Sequence, residues 1–415
     1  TLALLDVPCL SSTIMDKPGL LAAATGVYDG WPGATLMRSD DSGQSYKSVD
    51  GFVAPGCVIA YAPSAIGAGV THIVDASSLL NVRTLYGTLA SVTELQMYNG
   101  ANHFAYGVDG RWEIIAAKTV TEESDGSYTL QNLMRGRFGT EQYAGTHAAH
   151  DAVILLDQSM LRFAAMDVAS INIERLWRAV TRGAILDSAA DTAFTYAGIN
   201  LECLSPVYIG GSRHPATRDW TIAWTRRTRT PVEPFSGLPA PLGETAESYD
   251  VEVWSSGFTS LLRTFSGLSS ASTTYTQAQQ VTDFTTPQDT LRLRVYQNSS
   301  VVGRGYYGQA TVTVPLVDDP WIAFRFFATR MQGANGSTTF TDLSTNAHAM
   351  TASGNAAITT STFMVGDSSC AFDGTQDHIT VGANNVFDWM HKGNESWTVL
   401  VRVRAPVVDG THYRT

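Results

Sequence analysis

Two histidines and an aspartate near the middle of the chain have the types and spacing of metal ligands. They are His147, His150 and Asp151, in the stretch LMRGRFGTEQYAGTHAAHDAVILL at residues 133–156. Spacing of i and i+3 would place both imidazoles on one side of a helical turn, where a zinc ion could bind them. A zinc site also needs a third and a fourth ligand with supporting hydrogen bonds, and only Glu141 stands nearby. We therefore expect no metal, but a loop whose histidines cap the following strand.

Two arginines around a glycine in the same stretch could instead clasp a phosphate, because guanidinium forks match phosphate oxygens in pairs. The chain has no GxxxxGK[ST] pattern and no glycine loop between a strand and a helix, so a phosphate site has little support. The glycines favour a turn in which the arginines pair with local carboxylates or carbonyl groups. We call this structural motif the arginine corner; its residues are Arg135, Gly136, Arg137, Gly139, Thr140 and Glu141.

A basic cluster follows later in the chain and consists of Arg226, Arg227 and Arg229. On a predicted strand, alternation would put Arg227 and Arg229 on one face and Arg226 on the other. We expect a solvated, ion-paired face, with a contact between subunits as the alternative. The glutamates available as partners are Glu244, Glu247 and Glu252.

Two aspartates near the end of the chain, Asp373 and Asp377, could help to bind calcium or a glycan through loop carboxylates and carbonyl groups. They are also the nearest candidates for the carboxylate pair of a glycosidase, with Asp388 and Glu395 after them. A secreted carbohydrate-binding or carbohydrate-active protein is therefore the alternative function, and a bacterial surface adhesin a third. No GxSxG signature and no cysteine motif indicates a catalytic nucleophile. We predict a protein that is not an enzyme and needs no cofactor.

Bulk composition narrows the classes of partner. The 415 residues are 44% hydrophobic and 16% charged, with a net charge of -11. Such a chain should fold into two or three globular domains and should repel nucleic acid and anionic membrane surfaces. No apolar run approaches the roughly 20 residues that span a bilayer. The chain begins at Thr1 and stops just after a strand-like stretch, WTVLVRVRAP, so we expect a piece of a longer polypeptide.

The elements that must position these residues are mostly β-strands. Asn99-Gly100 and Asp109-Gly110 interrupt alternating apolar stretches, which predicts an antiparallel meander over roughly residues 90 to 135. The clearest predicted helix is MDVASINIERLWRAV, residues 166–180, although a strand is possible there too.

Changes of pattern divide the chain into three predicted domains. Residues 1–205 form a β-rich region that contains the arginine corner, with a possible boundary near residue 60. Residues 206–316 hold short alternating strands at regular spacing, typical of a fibronectin type III or immunoglobulin-like sandwich. Residues 317–415 resemble the first half of a laminin-G or concanavalin-like jelly roll, through FDGTQDHITV and SWTVLVRV. The predicted fold class is thus mostly β and multidomain.

Several motifs together resemble one family. The run DGSYTLQNLMRGRFGTE, residues 125–141, is similar to a hallmark of the baseplate hub, or "megatron", proteins of gene transfer agents and their siphophage relatives. LLDVPCL and WPGATLMRSDDSGQSY resemble the segment that precedes this hallmark, and WTRRTR and PLGETAESYDVEV the segment that follows it. The resemblance covers about residues 1 to 315, in family order.

The resemblance implies a structural virion protein of the tail tip, similar in role to the host-specificity protein of lambda-like phages. Family membership would imply a homotrimer that closes the tail tube and meets other tail proteins: the distal tail protein, the tape measure and the tail fibres. The outward β-domains would then face a host receptor or glycan, and the C-terminal module would be added for adhesion. For residues 135–141 the resemblance implies only a structural role.

Overall fold

A computed structural model describes residues 1–14, 17–214, 217–230, 240–314, 327–344, 346–361, 367–383 and 387. Strands dominate its regular structure, which confirms the predicted mostly β fold class. The chain divides into two compact units. The first contains residues 1–212 and 219–313, and the second contains residues 213–218 and 314–415.

The first two hundred residues build three antiparallel sheets joined by turns. The short helix α1 (Glu94–Tyr98) interrupts them. Their strands are β1 (Leu2–Leu5), β2 (Gly19–Ala24), β3 (Ala34–Ser39), β4 (Lys47–Phe52), β5 (Ile59–Tyr61), β6 (Leu80–Thr84), β7 (His103–Gly107), β8 (Glu113–Glu122), β9 (Tyr128–Arg137), β10 (Ala152–Leu155), β11 (Arg162–Ala165), β12 (Glu174–Thr181) and β13 (Thr192–Thr195).

Six of these strands close into a barrel in the order β10-β5-β6-β9-β8-β7, with antiparallel neighbours throughout. Its interior is filled by buried apolar side chains such as Leu80, Phe104, Tyr106 and Leu130. Gly110 takes a left-handed φ of 79° in the turn between β7 and β8. This is the conformation for which tight turns favour glycine. Closure leaves the barrel without a free sheet edge.

The predicted meander begins later than expected. β7, β8 and β9 form it, but residues 94–98 are the helix α1. Thr93 and Gln96 make a reciprocal capping box at its start, in which each side chain accepts a hydrogen bond from the other residue's backbone. Such a cap stabilises the first turn of a helix. The apolar residues Leu95 and Met97, which were expected in a strand of the meander, therefore belong to a helix.

The predicted helix over residues 166–180 is wrong. Asp167 caps a short 3-10 turn, Val168–Ser170, and the chain then runs as strand β12 between β3 and β13. Trp177 is fully buried in the core beneath this sheet. Pairing on both sides satisfies the backbone groups of β12, and such tertiary pairing outweighs an apparent helical spacing. The third sheet, β1-β2-β11, shares that core.

Two further sheets, of three and five strands, complete the first unit, with helix α2 (Gln277–Phe284) between strands. Burial alternates along β19 because one face is packed and the other is more exposed. The sheets have the orders β14-β15-β18 and β17-β16-β19-β20, and β21 also pairs with β19. The strands are β14 (Val207–Arg213), β15 (Trp220–Thr225), β16 (Tyr249–Trp254), β17 (Leu261–Leu268), β18 (Ser272–Tyr275), β19 (Thr290–Ser299), β20 (Gly303–Arg304) and β21 (Gly308–Thr313).

The described part of the second unit contains two short antiparallel strand pairs. β22 (Met350–Ser353) pairs with β25 (His378–Val381), and β23 (Ala357–Thr359) pairs with β24 (Ser369–Ala371). The predicted strand WTVLVRVRAP lies outside the described residues. Of the helices that the structure describes, none has the length and apolar character needed to cross a membrane.

Candidate functional site

The arginine corner begins with a buried ion pair. Arg135 stands near the end of β9 and Glu113 opens β8; both side chains are fully shielded from solvent. The guanidinium donates twice to the carboxylate, from Nε to Oε1 at 2.7 Å and from Nη2 to Oε2 at 2.8 Å. Its Nη1 donates to the carbonyl of Gly67 at 3.2 Å. Arg135 therefore joins two barrel strands to the loop between β5 and β6.

Glu113 has further donors around it. The backbone N–H of Gly136 donates to Oε1 at 2.9 Å, and Nε2 of His147 lies 2.7 Å from Oε2. Burial alone would raise the pKa of Glu113, but hydrogen bonds from His147 and Arg135 outweigh it and lower that pKa. The carboxylate thus remains charged inside the protein because its partners replace water.

His147 lies between two carboxylates. Its ring stacks on Tyr106 at a centroid distance of 3.7 Å, and its Nδ1 lies 3.5 Å from Oδ2 of Asp151. Asp151 in turn accepts two hydrogen bonds of 2.6 Å from Arg111. Burial opposes ionisation of Asp151, but the bonds from Arg111 and from the Ala148 backbone lower its pKa. Together these groups form a braced cluster that closes one end of the barrel.

The histidine pair does not share a face. His147 is buried in the cluster, whereas His150 is exposed, takes a left-handed φ of 70° and lies near the ring of Tyr61. In the described part of the chain, no three His, Cys, Asp or Glu side chains are grouped as metal ligands. The described polar contacts of this cluster are ion pairs and hydrogen bonds.

A bulge at Gly136 separates the two arginines of the corner. Residue 114 pairs with 137 while 116 pairs with 134, so β9 carries one extra residue there. Gly136 has φ 59°, and a Cβ at this position would lie 2.6 Å from the Cα of Glu141. Bulges re-aim side chains. Accordingly the Arg135 side chain points into the protein, whereas the Arg137 side chain is exposed and forms no hydrogen bond or ion pair with another described residue.

The remaining residues of the corner fix its path. Thr140 is fully buried; its hydroxyl accepts from the N–H of Ile114 at 2.9 Å and donates to the carbonyl of Arg137 at 2.7 Å. Gly139 has φ 80°, and a Cβ there would come within 2.5 Å of the side chain of Leu204. The corner is thus packed from both sides, which leaves no room for a ligand at these glycines.

Glu141 connects the corner to the basic cluster. Its carboxylate lies 2.5 Å from Nη2 of Arg227, which also donates through Nε to the carbonyl of Ser205 at 2.7 Å. Arg226 pairs with Glu247 at 3.4 Å. These contacts lie within one chain and leave the predicted subunit contact as a prediction.

The rest of the basic cluster differs in part from expectation. Strand β15 ends at Thr225, so the arginines follow the strand and alternation does not govern them. Arg229 pairs with Glu244 at 3.1 Å, as expected, but the two side chains are 9% and 3% exposed, so this pair is buried and does not belong to a solvated face. Glu252 is instead bound by Arg304 at 2.7 Å, because β19 pairs with β16 on one side and with β20 on the other.

Asp373 and Asp377 lie on an exposed loop of the second unit, where each accepts hydrogen bonds. Asn355 donates its backbone N–H to Asp377 and its side-chain amide to Asp373, both at 2.7 Å. The backbone N–H of Asp373 also donates to Asp377 at 2.7 Å. The calcium or glycan role stays a prediction. Asp388 and Glu395 lie outside the described residues.

The interpretation from sequence missed Glu113, the residue that organises the buried cluster. One signal was available in RWEIIAAK, residues 111–118, where a single acid stands inside an apolar run. A charge at such a position is rarely buried unless it is paired. Its partner lies 22 positions away, and only the pairing of β8 with β9 brings the two together.

Comparison with known proteins bears on the barrel alone. The family described as Rcc01698-like, C-terminal, matches residues 57–154, so this segment is similar to that family. The match starts just before β5 and reaches into β10, and it covers under a quarter of the 415 residues. No curated protein matches the chain.

Proposed function

We propose that the chain is a structural component of a phage-like tail tip, a baseplate hub that displays β-domains toward the host surface. The observation that carries the proposal is the braced barrel. Its buried Arg135–Glu113 pair holds the arginine corner, and Glu141 extends the corner to Arg227. In this proposal, the residues of the hallmark motif connect the barrel rigidly to the segment that follows β15.

Two further observations support this role. The Rcc01698-like family matches the barrel segment, which contains the RGRFGTE motif on which the resemblance to hub proteins rests. Each charged group of the buried cluster is also held by another protein group, as a brace requires. A rigid unit of this kind suits a particle that must resist force and proteolysis.

The proposed mechanism is assembly and multivalent attachment. Three copies in a homotrimer would present the same weak binding surfaces side by side. Linking such surfaces raises the effective concentration of each after the first has bound, so avidity exceeds single-site affinity. The distal tail protein, the tape measure and the tail fibres are the proposed neighbours, and the virion tail is the proposed location.

Two measurements test the proposal. We expect multi-angle light scattering to give the mass of a trimer for the full-length protein, and antibody labelling in electron microscopy to mark the tail tip of particles. A monodisperse monomer that is absent from particles would contradict the assignment. Hydrolysis of a host polysaccharide by the purified protein would instead favour the carbohydrate-active alternative.

A further inference from the structure

A pocket of about 500 Å³ lies within the first unit, beside the arginine corner. Its walls come from residues 141–142 at the corner, 205–209 at the start of β14, and 306–310 at the start of β21. Gly308 lets these walls approach, because a Cβ there would lie 2.0 Å from the carbonyl oxygen of Pro206. We call it the tyrosine pocket.

Three tyrosines line this pocket. Tyr208 is 87% exposed, the most exposed large hydrophobic residue in the described chain, and it takes a left-handed φ of 50°. Tyr306 and Tyr307 stack on each other with centroids 4.6 Å apart and planes inclined by 19°. The guanidinium of Arg294 packs over the Tyr307 ring at 4.4 Å. The pair is therefore fixed in orientation, whereas the Tyr208 ring projects into solvent.

Polar groups lie beside these rings. Gln142 lines the pocket, and its side-chain oxygen is shielded from solvent without accepting a hydrogen bond in the described structure. Gln309 is oriented by the Nε of Arg294, which donates to its Oε1 at 3.0 Å. Glu141 adds a carboxylate that Arg227 holds in place. Because the Gln142 oxygen is shielded, ligand hydroxyls would instead bond the amide of Gln309 and the carboxylate of Glu141, which also line the pocket.

We infer that the tyrosine pocket binds a neutral hexopyranose unit of a cell-surface glycan; this inference rests on the proposed function and adds a ligand class to it. The C–H faces of a pyranose ring pack on aromatic faces, while its hydroxyls bond amides and carboxylates. A volume of about 500 Å³ falls in the range of small-molecule sites. Glu141 and the net charge of -11 disfavour anionic sugars.

Saturation-transfer NMR on the full chain tests the inference. The probes are the methyl pyranosides of glucose, mannose, galactose and N-acetylglucosamine, with glucuronate as the anionic comparison. We expect at least one neutral probe to bind with a dissociation constant of about 1 mM, as suits one subsite of a multivalent particle. Tyr208→Ala and Gln309→Ala should each weaken that binding by about tenfold, which corresponds to about 1.4 kcal/mol.

Tyr28→Ala is the matched control, because Tyr28 is 54% exposed in the same unit but does not line the pocket. It should leave binding unchanged. Three results would contradict the inferred subsite. They are the absence of saturation transfer to every neutral probe, binding by Tyr208→Ala as tight as that of wild type, and tighter binding of glucuronate than of the neutral probes. If particles carry the chain at the tail tip while the sugars fail to bind, only the subsite is wrong. Sugar binding by a chain that never enters particles would contradict only the proposed function.

Discussion

Two of the Arg-x-Arg sequences in the chain, one in the arginine corner and one just after β15, behave differently. In the arginine corner, Arg135 is buried against Glu113. The Arg137 side chain is exposed and has no hydrogen-bond or ion-pair partner among the described residues. After β15, both Arg227 and Arg229 are paired, with Glu141 at 2.5 Å and Glu244 at 3.1 Å. Alternation alone would treat the two sequences alike, with both arginines on one face.

Backbone geometry explains the difference. Gly136 introduces an extra residue into β9, so the two arginines of the corner leave the strand in different directions. The second sequence follows the end of a strand, where the chain can turn each arginine toward a carboxylate supplied by another segment. The local backbone therefore decides whether each arginine of such a sequence is buried, exposed or ion-paired.

The largest effect should come from removing one partner of the buried pair. Arg135→Met leaves the Glu113 carboxylate buried with less compensation, so the free energy of unfolding should fall by about 3–5 kcal/mol. Urea denaturation followed by circular dichroism measures this loss. The double variant Glu113→Gln/Arg135→Met should be more stable than Arg135→Met alone, because the unpaired charge is gone. If both variants are equally unstable, the loss comes from packing and the ion pair is not the brace.

A smaller loss should follow from Gly136→Ala. The new Cβ would meet the backbone of Glu141, and the left-handed φ of 59° adds strain, so we expect about 3 kcal/mol of destabilisation. Gly110→Ala is the matched control, since φ is 79° there but nothing lies within 4 Å of a Cβ. It should cost only about 1 kcal/mol. Equal losses in thermal or urea unfolding would show that the bulge tolerates a side chain.

The pH dependence of stability should have a component from Glu202, beside the tyrosine pocket. Burial raises its pKa to about 7, and a backbone hydrogen bond from Tyr306 opposes the shift. Because the folded pKa exceeds the unfolded value, Glu202 contributes its stability below about pH 4.5 and loses it as the pH rises through 7. Glu202→Gln should therefore gain up to about 3 kcal/mol relative to wild type between these limits.

Unfolding curves of both proteins from pH 4.5 to 8 measure that difference. Glu174→Gln serves as the control, because Glu174 is exposed at the start of β12. The free energy of unfolding of Glu174→Gln should change with pH in the same way as that of wild type. If Glu202→Gln also shows the pH dependence of wild type, the Glu202 carboxyl group does not titrate with a raised pKa in the folded protein.

The sequence predicted the strands better than the contacts between them. Asp109-Gly110 marked the turn between β7 and β8 correctly because turn chemistry is local, whereas Asn99-Gly100 ends helix α1 and joins no two strands. The helix predicted over residues 166–180 failed because β12 is stabilised by pairing with β3, some 140 positions away. Glu113 was missed for the same reason, since its partners come from β9 and from the loop that carries His147. Pairing between residues far apart in sequence determines both the strand β12 and the burial of Glu113. A short stretch of sequence around either one does not contain its partners.

Arg137 gives the smallest effect on folding and the sharpest test of assembly. Its side chain is exposed and forms no ion pair with the described residues, so Arg137→Ala should change the free energy of unfolding by no more than about 0.5 kcal/mol. An exposed guanidinium on a rigid bulge remains free to bind another subunit, so we expect fewer assembled particles in a producing strain. Arg83→Ala removes another exposed arginine, one that pairs with Asp125, and it should leave assembly unchanged. Normal particle numbers with Arg137→Ala would show that the corner acts only within its own chain, and the difference between its two arginines would then have no role in the assembled tail.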